Sequence, residues 1–508
     1  MERALLPAST AARRQSGQEC PLHIETSHRS LVDSTITNRH WRTVKITPAW
    51  KVYALGITLC VALTICSRNF GDRGGPYFMA SLTLACIAYL LAIRELFAAP
   101  KSKRRFSRRV VVIGLVLAAV WHIEFLRVPP GGDDDIHRYV WDGRLQRLGY
   151  NPYLVVPGDP AVKALHTPET RNLNNPDLPS PYPPGAELFF RAVTAIHEST
   201  FALKFAFVLC ELAIVFVLLD VFRSTRQAAH LVLAFAWNPL LAIEVAGSGH
   251  VDIVGALLLV VSAAALVRRG RTTAALALGL AIAVKFLPIV LLPLYWKRIR
   301  IRDAALAAVV FGILYLPFLN HGRIPIGSLG TYVQNFRFNG PVFAALARVA
   351  SPQLVAGLAV LAGLATATWL RIRSGSPDWL PDRGTLITGD TGSPRGDAPM
   401  SPLCTSVSPV IQGFEFAWPM AVSLLCAPAV FPWYLLWLLP FLTSASTLLI
   451  IAWTVSIIPV YVQWHLSSLK GFWGTLPGWV MLLEYGCLAM VAAIILLRRI
   501  TRPTGHSA

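Results

Sequence analysis

Long apolar runs alternate with short polar connections along this chain. A helix needs about 20 predominantly apolar residues to cross a bilayer, with about 17 as the lower limit. The pattern predicts spans at 50–67, 76–98, 110–126, 200–222, 229–246, 251–267, 303–319, 354–371, 413–428, 432–446, 448–465 and 477–497, twelve in all. Residues 272–296 are also apolar, but Lys285 and Pro288 interrupt them. They read as a re-entrant pair of half-helices, because non-helical backbone at that depth is tolerated when protein surrounds it.

The polar stretches divide the chain further. Residues 1–49 lack an apolar stretch, so they are no signal peptide and read as a disordered cytoplasmic tail. The spans in 50–98 form a hairpin ahead of a transmembrane module at 99–372, which contains a long loop at 127–199. Loops of that length are usually functional. Inside it, Ala186, Leu188, Phe189, Ala192, Val193 and Ile196 restore a helical period at 184–197, as in a helix lying on a membrane surface. Residues 373–412 are rich in Ser, Pro, Gly and Asp and read as a flexible cytoplasmic linker. The C-terminal spans fill 413–497, and 498–508 form a second tail.

Composition agrees with this. Of the 508 residues, 54% are hydrophobic and 14% charged, against about 25% charged in soluble domains. The fold class is an all-α polytopic membrane protein. The net charge of +19 does not point to nucleic acid, because the basic residues cluster beside apolar runs and form no reading module. They follow the positive-inside pattern. Connection 99–109, Arg223, Arg268, Arg269, Lys297, Arg298, Arg371, Arg373, Arg498 and Arg499 then fall in the cytoplasm with both termini. Loop 127–199, with nine acids and seven Lys or Arg, falls outside. The eight cysteines show no Cys-x-x-Cys spacing, so neither a disulfide framework nor a zinc site is indicated.

Candidate chemistry gathers on the outer side. Asp133-Asp134-Asp135 precedes Ile136-His137-Arg138-Tyr139-Val140-Trp141-Asp142-Gly143-Arg144. Gly149-Tyr150-Asn151-Pro152-Tyr153, Tyr182-Pro183-Pro184, Gly249-His250-Val251-Asp252, Tyr332–Asn339 and Phe431-Pro432-Trp433-Tyr434 face the same way. Each has a plainer reading. Asp135 could simply cap the helix that starts at Ile136. Asp142 and Arg144 could form a local ion pair, and His250 and Asp252 could cap the span that begins at Val251. Lys285 could snorkel to the cytoplasmic face, although charges within apolar segments are usually functional. Glu211 and Glu244 could be hydrogen-bonded core acids, and Tyr182-Pro183-Pro184 a rigid turn.

The acidic string, the Asn-Pro-Tyr and Tyr-Pro-Pro elements, Trp237-Asn238-Pro239, Lys285-Phe286-Leu287-Pro288 and Pro432-Trp433-Tyr434 together resemble bacterial GT-C glycosyltransferases. The likeness covers most of residues 110–465 and is nearest to enzymes that use polyprenyl-phosphate mannose, the mycobacterial-type α-mannosyltransferases among them. The resemblance implies a GT-C bundle with a large first external catalytic loop, in the bacterial inner membrane, with the active site facing the periplasm. It implies a polyprenyl-phosphate sugar donor, a glycolipid or polysaccharide acceptor, and an aspartate of the motif as general base. Asp135 matches the residue before the Ile-x-x-Tyr pattern and Asp134 its acidic neighbour, while Asp133 adds a third acid. The hairpin 50–98 precedes the family's usual first span.

Sugar transfer from a lipid phosphate then assigns roles. Asp135 or Asp134 takes the acceptor proton. Arg138, Arg144 and His250 meet the phosphate. Tyr139, Trp141, Asp142, Asn151, Tyr153 and Tyr182 hold sugar, with Lys285 and Asp252 as further candidates. The paired acids could instead hold a divalent cation, Mg or Mn. A transporter or flippase is the main competing class. It lacks support from an inverted repeat of broken helices or a nucleotide-binding P-loop. A polysaccharide ligase or polymerase would share the donor but move a whole glycan.

Overall fold

The computed structural model describes residues 49–98, 106–131, 134–171, 173–374 and 414–501. The expected tails and linker, the basic cluster at 99–105 and Asp133 lie outside the described residues. Among the described residues there are helices and turns but no strand beyond isolated bridges such as Phe338 to Ala429.

Two antiparallel helices, α1 (Trp50–Arg68) and α2 (Pro76–Ala98), open the fold, and α3 (Arg108–Arg127) packs beside α1. Each is apolar all round. α1 buries Leu59, Leu63 and Cys66 inward and leaves Ile57, Val61 and Ile65 exposed, as a helix facing lipid does. Close approach depends on small residues. A Cβ at Gly56 or Gly114 would meet the Trp237 ring or Leu233, and Trp237 Nε1 donates to Gly114 O at 2.8 Å.

The long loop begins with α4 (Ile136–Arg147) and closes with α5 (Pro184–Ile196), which bears out the helical period read at 184–197. The two pack against each other, and α5 also lies against α6 (Thr200–Ser224). The next segment is broken: a turn with the short α7 (Leu233–Ala236), then Leu241–Gly247, bent by 66°. Pro239 explains the break, because it lacks the N–H that would continue the helix. The wide turn at Leu241–Gly247 leaves Glu244 O free to accept from His250 N at 2.8 Å. The segment is buried throughout.

Helices α8 (Asp252–Val267) and α9 (Arg271–Val284) form a tight hairpin. At Lys285 the backbone becomes extended, and a 3-10 stretch, Leu287–Tyr295, runs on to Trp296. Thr272 Oγ1 donates to Asp303 Oδ1 at 2.7 Å, while Lys285 reaches Asp252 at the start of α8. The chain thus leaves one end of the bundle at residue 272, turns at Lys285, and is back at the first end by 303. That first end is the basic one. Arg371 Nε meets Trp296 O at 3.0 Å, Arg298 meets Glu415 at 3.0 Å, and Arg268 pairs with Asp220.

The rest of the chain forms α10 (Ile301–Tyr315), the short α11 (Leu329–Asn335) and α12 (Pro341–Leu346), then α13 (Pro352–Arg373), α14 (Phe414–Leu425), α15 (Leu448–Ser456), α16 (Val462–Lys470) and α17 (Gly478–Ile500). Among the described residues, eight helices are long and apolar enough to cross a membrane, or nine if the broken segment counts as one. Twelve were expected. The segments at α8 and α14 are apolar but short. Residues 432–446 are a chain of 3-10 turns rather than a helix, since Pro432 and Pro440 each start a turn there. Six cysteines are described, all as free thiols.

One close contact ties the fold to the site. A Cβ at Gly255 would sit 1.9 Å from the Trp437 ring, whose Nε1 donates to Asp252 at 2.7 Å. Gly255→Val is expected to destabilise the protein by about 1–3 kcal/mol through overpacking and to weaken activity through Asp252. A thermal midpoint in detergent equal to wild type would show that the ring moves freely.

Candidate functional site

At the end of the bundle opposite the basic residues lies a cavity of about 630 Å³. Asp134, Asp135, Asn174, Tyr182, His250 and Lys285 line it. Tyr332, Arg337, Phe338, Trp433, Tyr434 and Trp464 complete the lining. Its volume falls in the range of about 300–1,000 Å³ typical of ligand pockets.

The two acids differ in environment. Asp134 is buried, its side chain 3% exposed, with Arg73 Nη1 2.7 Å from Oδ1. Gly131 N donates to its other oxygen at 2.6 Å. Arg73 comes from the α1–α2 turn, so the hairpin expected as an addition supplies a partner to the acidic motif. The guanidinium also donates to Ser248 Oγ at 2.8 Å and lies over the Phe70 and Trp464 rings. Asp135 has 24% of its side chain exposed. It sits at the N-cap position of α4 but makes no side-chain capping bond. One carboxylate oxygen instead accepts from Asn174 Nδ2 at 2.7 Å, and the other lies 4.0 Å from His250 Nδ1.

His250 is held from two sides. Its Nε2 is 3.1 Å from Glu244 Oε2, and Tyr461 donates to that same carboxylate. Its ring stacks on Trp433 at 4.0 Å and 8°. Trp433 stacks on Phe431 at 4.4 Å, and Phe431 on Phe338 at 4.4 Å, which makes a column of four rings. Neither His250 nor Asp252 caps α8, whose N-cap is Val251. Asp252 accepts from Lys285 Nζ at 2.7 Å, and Lys285 lies 4.0 Å over the Tyr434 ring. Lys285 therefore does not snorkel toward the basic end. Arg337, exposed and 4.8 Å over Phe343, is a second cation on the cavity wall.

Several expected site residues are engaged elsewhere. Arg138 is buried, pairs with Asp142 at 3.1 Å, and donates to Leu178 O at 2.6 Å. Arg144 and Arg147 share Glu198, at 2.7 and 2.8 Å. The expected pair of Asp142 with Arg144 is thus replaced by two others, since the i,i+4 spacing puts Arg138 and Asp142 on one helix face. Neither Arg138 nor Arg144 lines the cavity. Trp141 stacks on His166 at 4.0 Å within a small separate core. Asn151 donates to Phe318 O at 2.7 Å and Tyr153 to Tyr182 O at 2.6 Å, bracing the loop behind the site. Tyr139 is buried and stacked on Phe190 at 4.4 Å, and presents its edge to Tyr182. Asp134, Asp135, His250, Lys285 and Tyr182 are brought together at the cavity. Glu211 pairs with His122 at 3.0 Å in the bundle.

Among the described residues, no group of three His, Cys, Asp or Glu side chains is arranged to hold a metal ion. Arg73 already occupies one oxygen of Asp134 and Asn174 one oxygen of Asp135.

Arg73, Asn174, Arg337 and the Trp464 and Trp473 rings were not singled out from sequence. Only the aromatic content near 464–473 and the Tyr332–Asn339 stretch signalled any of them.

The architecture is that of a multi-pass membrane protein with an acidic, aromatic-walled site at one end. Residues 64–298 match the alpha-(1->6)-mannopyranosyltransferase N-terminal domain family (MptA_B family), somewhat under half of the chain. That match supports a GT-C-type membrane mannosyltransferase, an activity that implies a sugar donor and an acceptor as partners. No curated protein and no solved structure matches the chain.

Two predictions follow from the buried charges. Arg73→Met leaves the Asp134 carboxylate buried without its guanidinium and is expected to cost about 3–5 kcal/mol, whereas Arg73→Met with Asp134→Leu recovers most of it. Equal thermal midpoints for the single and double variants would refute that coupling. Glu187, outside the spans, accepts from Ser180 and from Gln146 at 2.9 Å. Burial, reinforced by Asp142, raises its carboxyl well above the ordinary value. A raised carboxyl stabilises most below its unfolded pKa, and that stability is lost as pH rises through the folded one. Glu187→Gln keeps the neutral shape without the titration. Its thermal midpoint should therefore gain on wild type as pH rises, and parallel curves would contradict the assignment.

Proposed function

We propose that the protein transfers mannose from a polyprenyl-phosphate donor to a glycan or glycolipid acceptor, with the cavity end of the bundle facing the periplasm across the bacterial inner membrane. The observation that carries this reading is the pairing of one accessible carboxylate, Asp135, with a cationic, aromatic cavity. The collection of Arg268, Arg298 and Arg371 at the opposite end supports the orientation, by the positive-inside pattern. The return of 272–296 to that end supports the re-entrant hairpin.

In this reading Asp135 is the general base and Asp134 the buried anchor that fixes its position. The acceptor hydroxyl gives its proton to Asp135 as its oxygen attacks the anomeric carbon. The bond from that carbon to the phosphate oxygen breaks, and its electron pair leaves on the polyprenyl phosphate. A single displacement inverts the centre and turns a β-linked donor into an α-linked product. The protonated Asp135 then returns its proton to water. Charge gathers on the phosphate, where Lys285 and Arg337 are the available cations. They take the role first assigned to Arg138 and Arg144. His250, backed by Glu244, orients Asp135. Tyr182, Tyr332 and Trp433 supply faces and hydroxyls for the sugar. The donor's tail stays in the bilayer, since each buried CH₂ is worth about 0.8 kcal/mol.

A transporter would need polar groups along a path through the bundle. The polar side chains that line the cavity gather at one end, and the mannosyltransferase domain favours transfer.

The test is transfer by purified protein in lipid with polyprenyl-phosphate mannose and an α-(1→6)-mannoside acceptor. Asp135→Asn is expected to lower kcat by about 10²–10⁴-fold with donor binding kept. Lys285→Gln is expected to lower kcat/KM for the donor by about 10²-fold. Full activity in Asp135→Asn would remove it as the base.

A further inference from the structure

A second cavity, of about 470 Å³, adjoins the first. Phe70, Gly71, Asp72 and Arg73 of the α1–α2 turn line one side, and Trp464, His465, Ser467 and Ser468 of α16 line the other. Gly131, Gly471, Phe472 and Trp473 complete it. Trp464 and Trp473 line both cavities and so form the partition between them. The acidic loop crosses from one to the other: Gly131 lines the second cavity, and Asp134 and Asp135 line the first.

The two cavities differ in charge. In the first, the exposed Arg337 supplies a cation that a phosphate can meet, beside Lys285, which is 25% exposed and also bonded to Asp252 at 2.7 Å. In the second, each lining charge faces a partner. Arg73 is 2.7 Å from Asp134, and His465 Nδ1 is 2.6 Å from Asp72. Neither pair presents a lone cation to an anionic ligand. What remains is the chemistry of a neutral polyol: the hydroxyls of Ser467 and Ser468, and the open faces of Phe472 and Trp473, which are 64% and 46% exposed. Aromatic faces take the C–H side of a sugar ring while hydroxyls and carboxylates take its edge.

From this arrangement we infer that the second cavity is an acceptor subsite, holding neutral sugar units of the acceptor while its terminal hydroxyl passes the Trp464–Trp473 partition to reach Asp135. This rests on the reading of the first cavity as the donor site. The α1–α2 hairpin then serves both halves of the reaction. Arg73 fixes the acidic loop from one face, and Asp72 on the next residue borders the acceptor.

The experiment uses the full chain in lipid nanodiscs and octyl α-(1→6)-dimannoside as the acceptor probe. Binding is measured by calorimetry in Asp135→Asn, which blocks turnover, and acceptor and donor KM are measured in the active protein. Ser468→Trp fills the cavity, and Phe472→Ala removes an exposed ring that the fold does not need. Both are expected to weaken dimannoside binding and to raise acceptor KM by about tenfold, equivalent to about 1.4 kcal/mol, with donor KM unchanged. Unchanged dimannoside binding in both variants overturns the inference, as does a rise in donor KM in place of acceptor KM. Absence of dimannoside binding to the parent also overturns it. Loss of binding in the variants by a protein that fails to transfer mannose would uphold the subsite and count against the donor reading alone.

Discussion

A buried guanidinium organises the site. Taking Arg73 out of water is expensive, and the cost is offset only if its hydrogen bonds are met by an opposite charge and polar neighbours. Asp134, Ser248 and the Phe70 and Trp464 rings meet that demand. Phe70 belongs to the same α1–α2 turn, while the other three partners come from the long loop, the turn after the broken segment and α16, so a single charge draws three distant pieces of chain to its own turn. It also separates two adjacent acids. With Asp134 turned inward to the guanidinium, Asp135 begins α4 facing the cavity and is held there by Asn174 and approached by His250.

The aromatic wall of the cavity depends on stacking. The column from Phe338 through Phe431 and Trp433 to His250 is continuous, and its outer end is fixed by backbone. Phe338 N donates to Pro428 O at 3.1 Å and Val430 N to Phe338 O at 2.8 Å. Asn339, next in the chain, takes the left-handed conformation at φ 54° and donates to Glu484 at 2.8 Å, while Tyr485 donates to its carbonyl at 2.7 Å. α17 thereby reaches the site through Asn339 without lining it.

The sequence disclosed its apolar runs and its dense acidic string because both are local signals. Spans, the helix at 184–196, the break at Lys285 and the acids were legible on that basis. Residues 432–446 misled because a short apolar run looks the same whether it is helix or turn, and the prolines decided the outcome. Arg138 and Arg144 were read as phosphate-binding candidates, with Asp142 as a local partner only for Arg144, because their partners are invisible to a reading of composition, although the i,i+4 spacing of Arg138 and Asp142 was there to be used. Arg73 was illegible for a deeper reason: its partner lies 61 residues away, and nothing in the α1–α2 turn marks that residue as different from other basic residues beside a span.

The site is also assembled late. Asp134, Asp135, His250 and Lys285 are made in the first part of the chain, whereas Arg337, Trp433, Trp464 and Trp473 come from its later part. Synthesis proceeds at about 5–20 residues per second, so the acidic loop waits for tens of seconds after it emerges before α16 can reach Arg73. During that interval the nascent protein has its acidic loop without the aromatic wall that borders it in the finished cavity. The stacking wall can therefore close around the acids only once the chain has been made through Trp473.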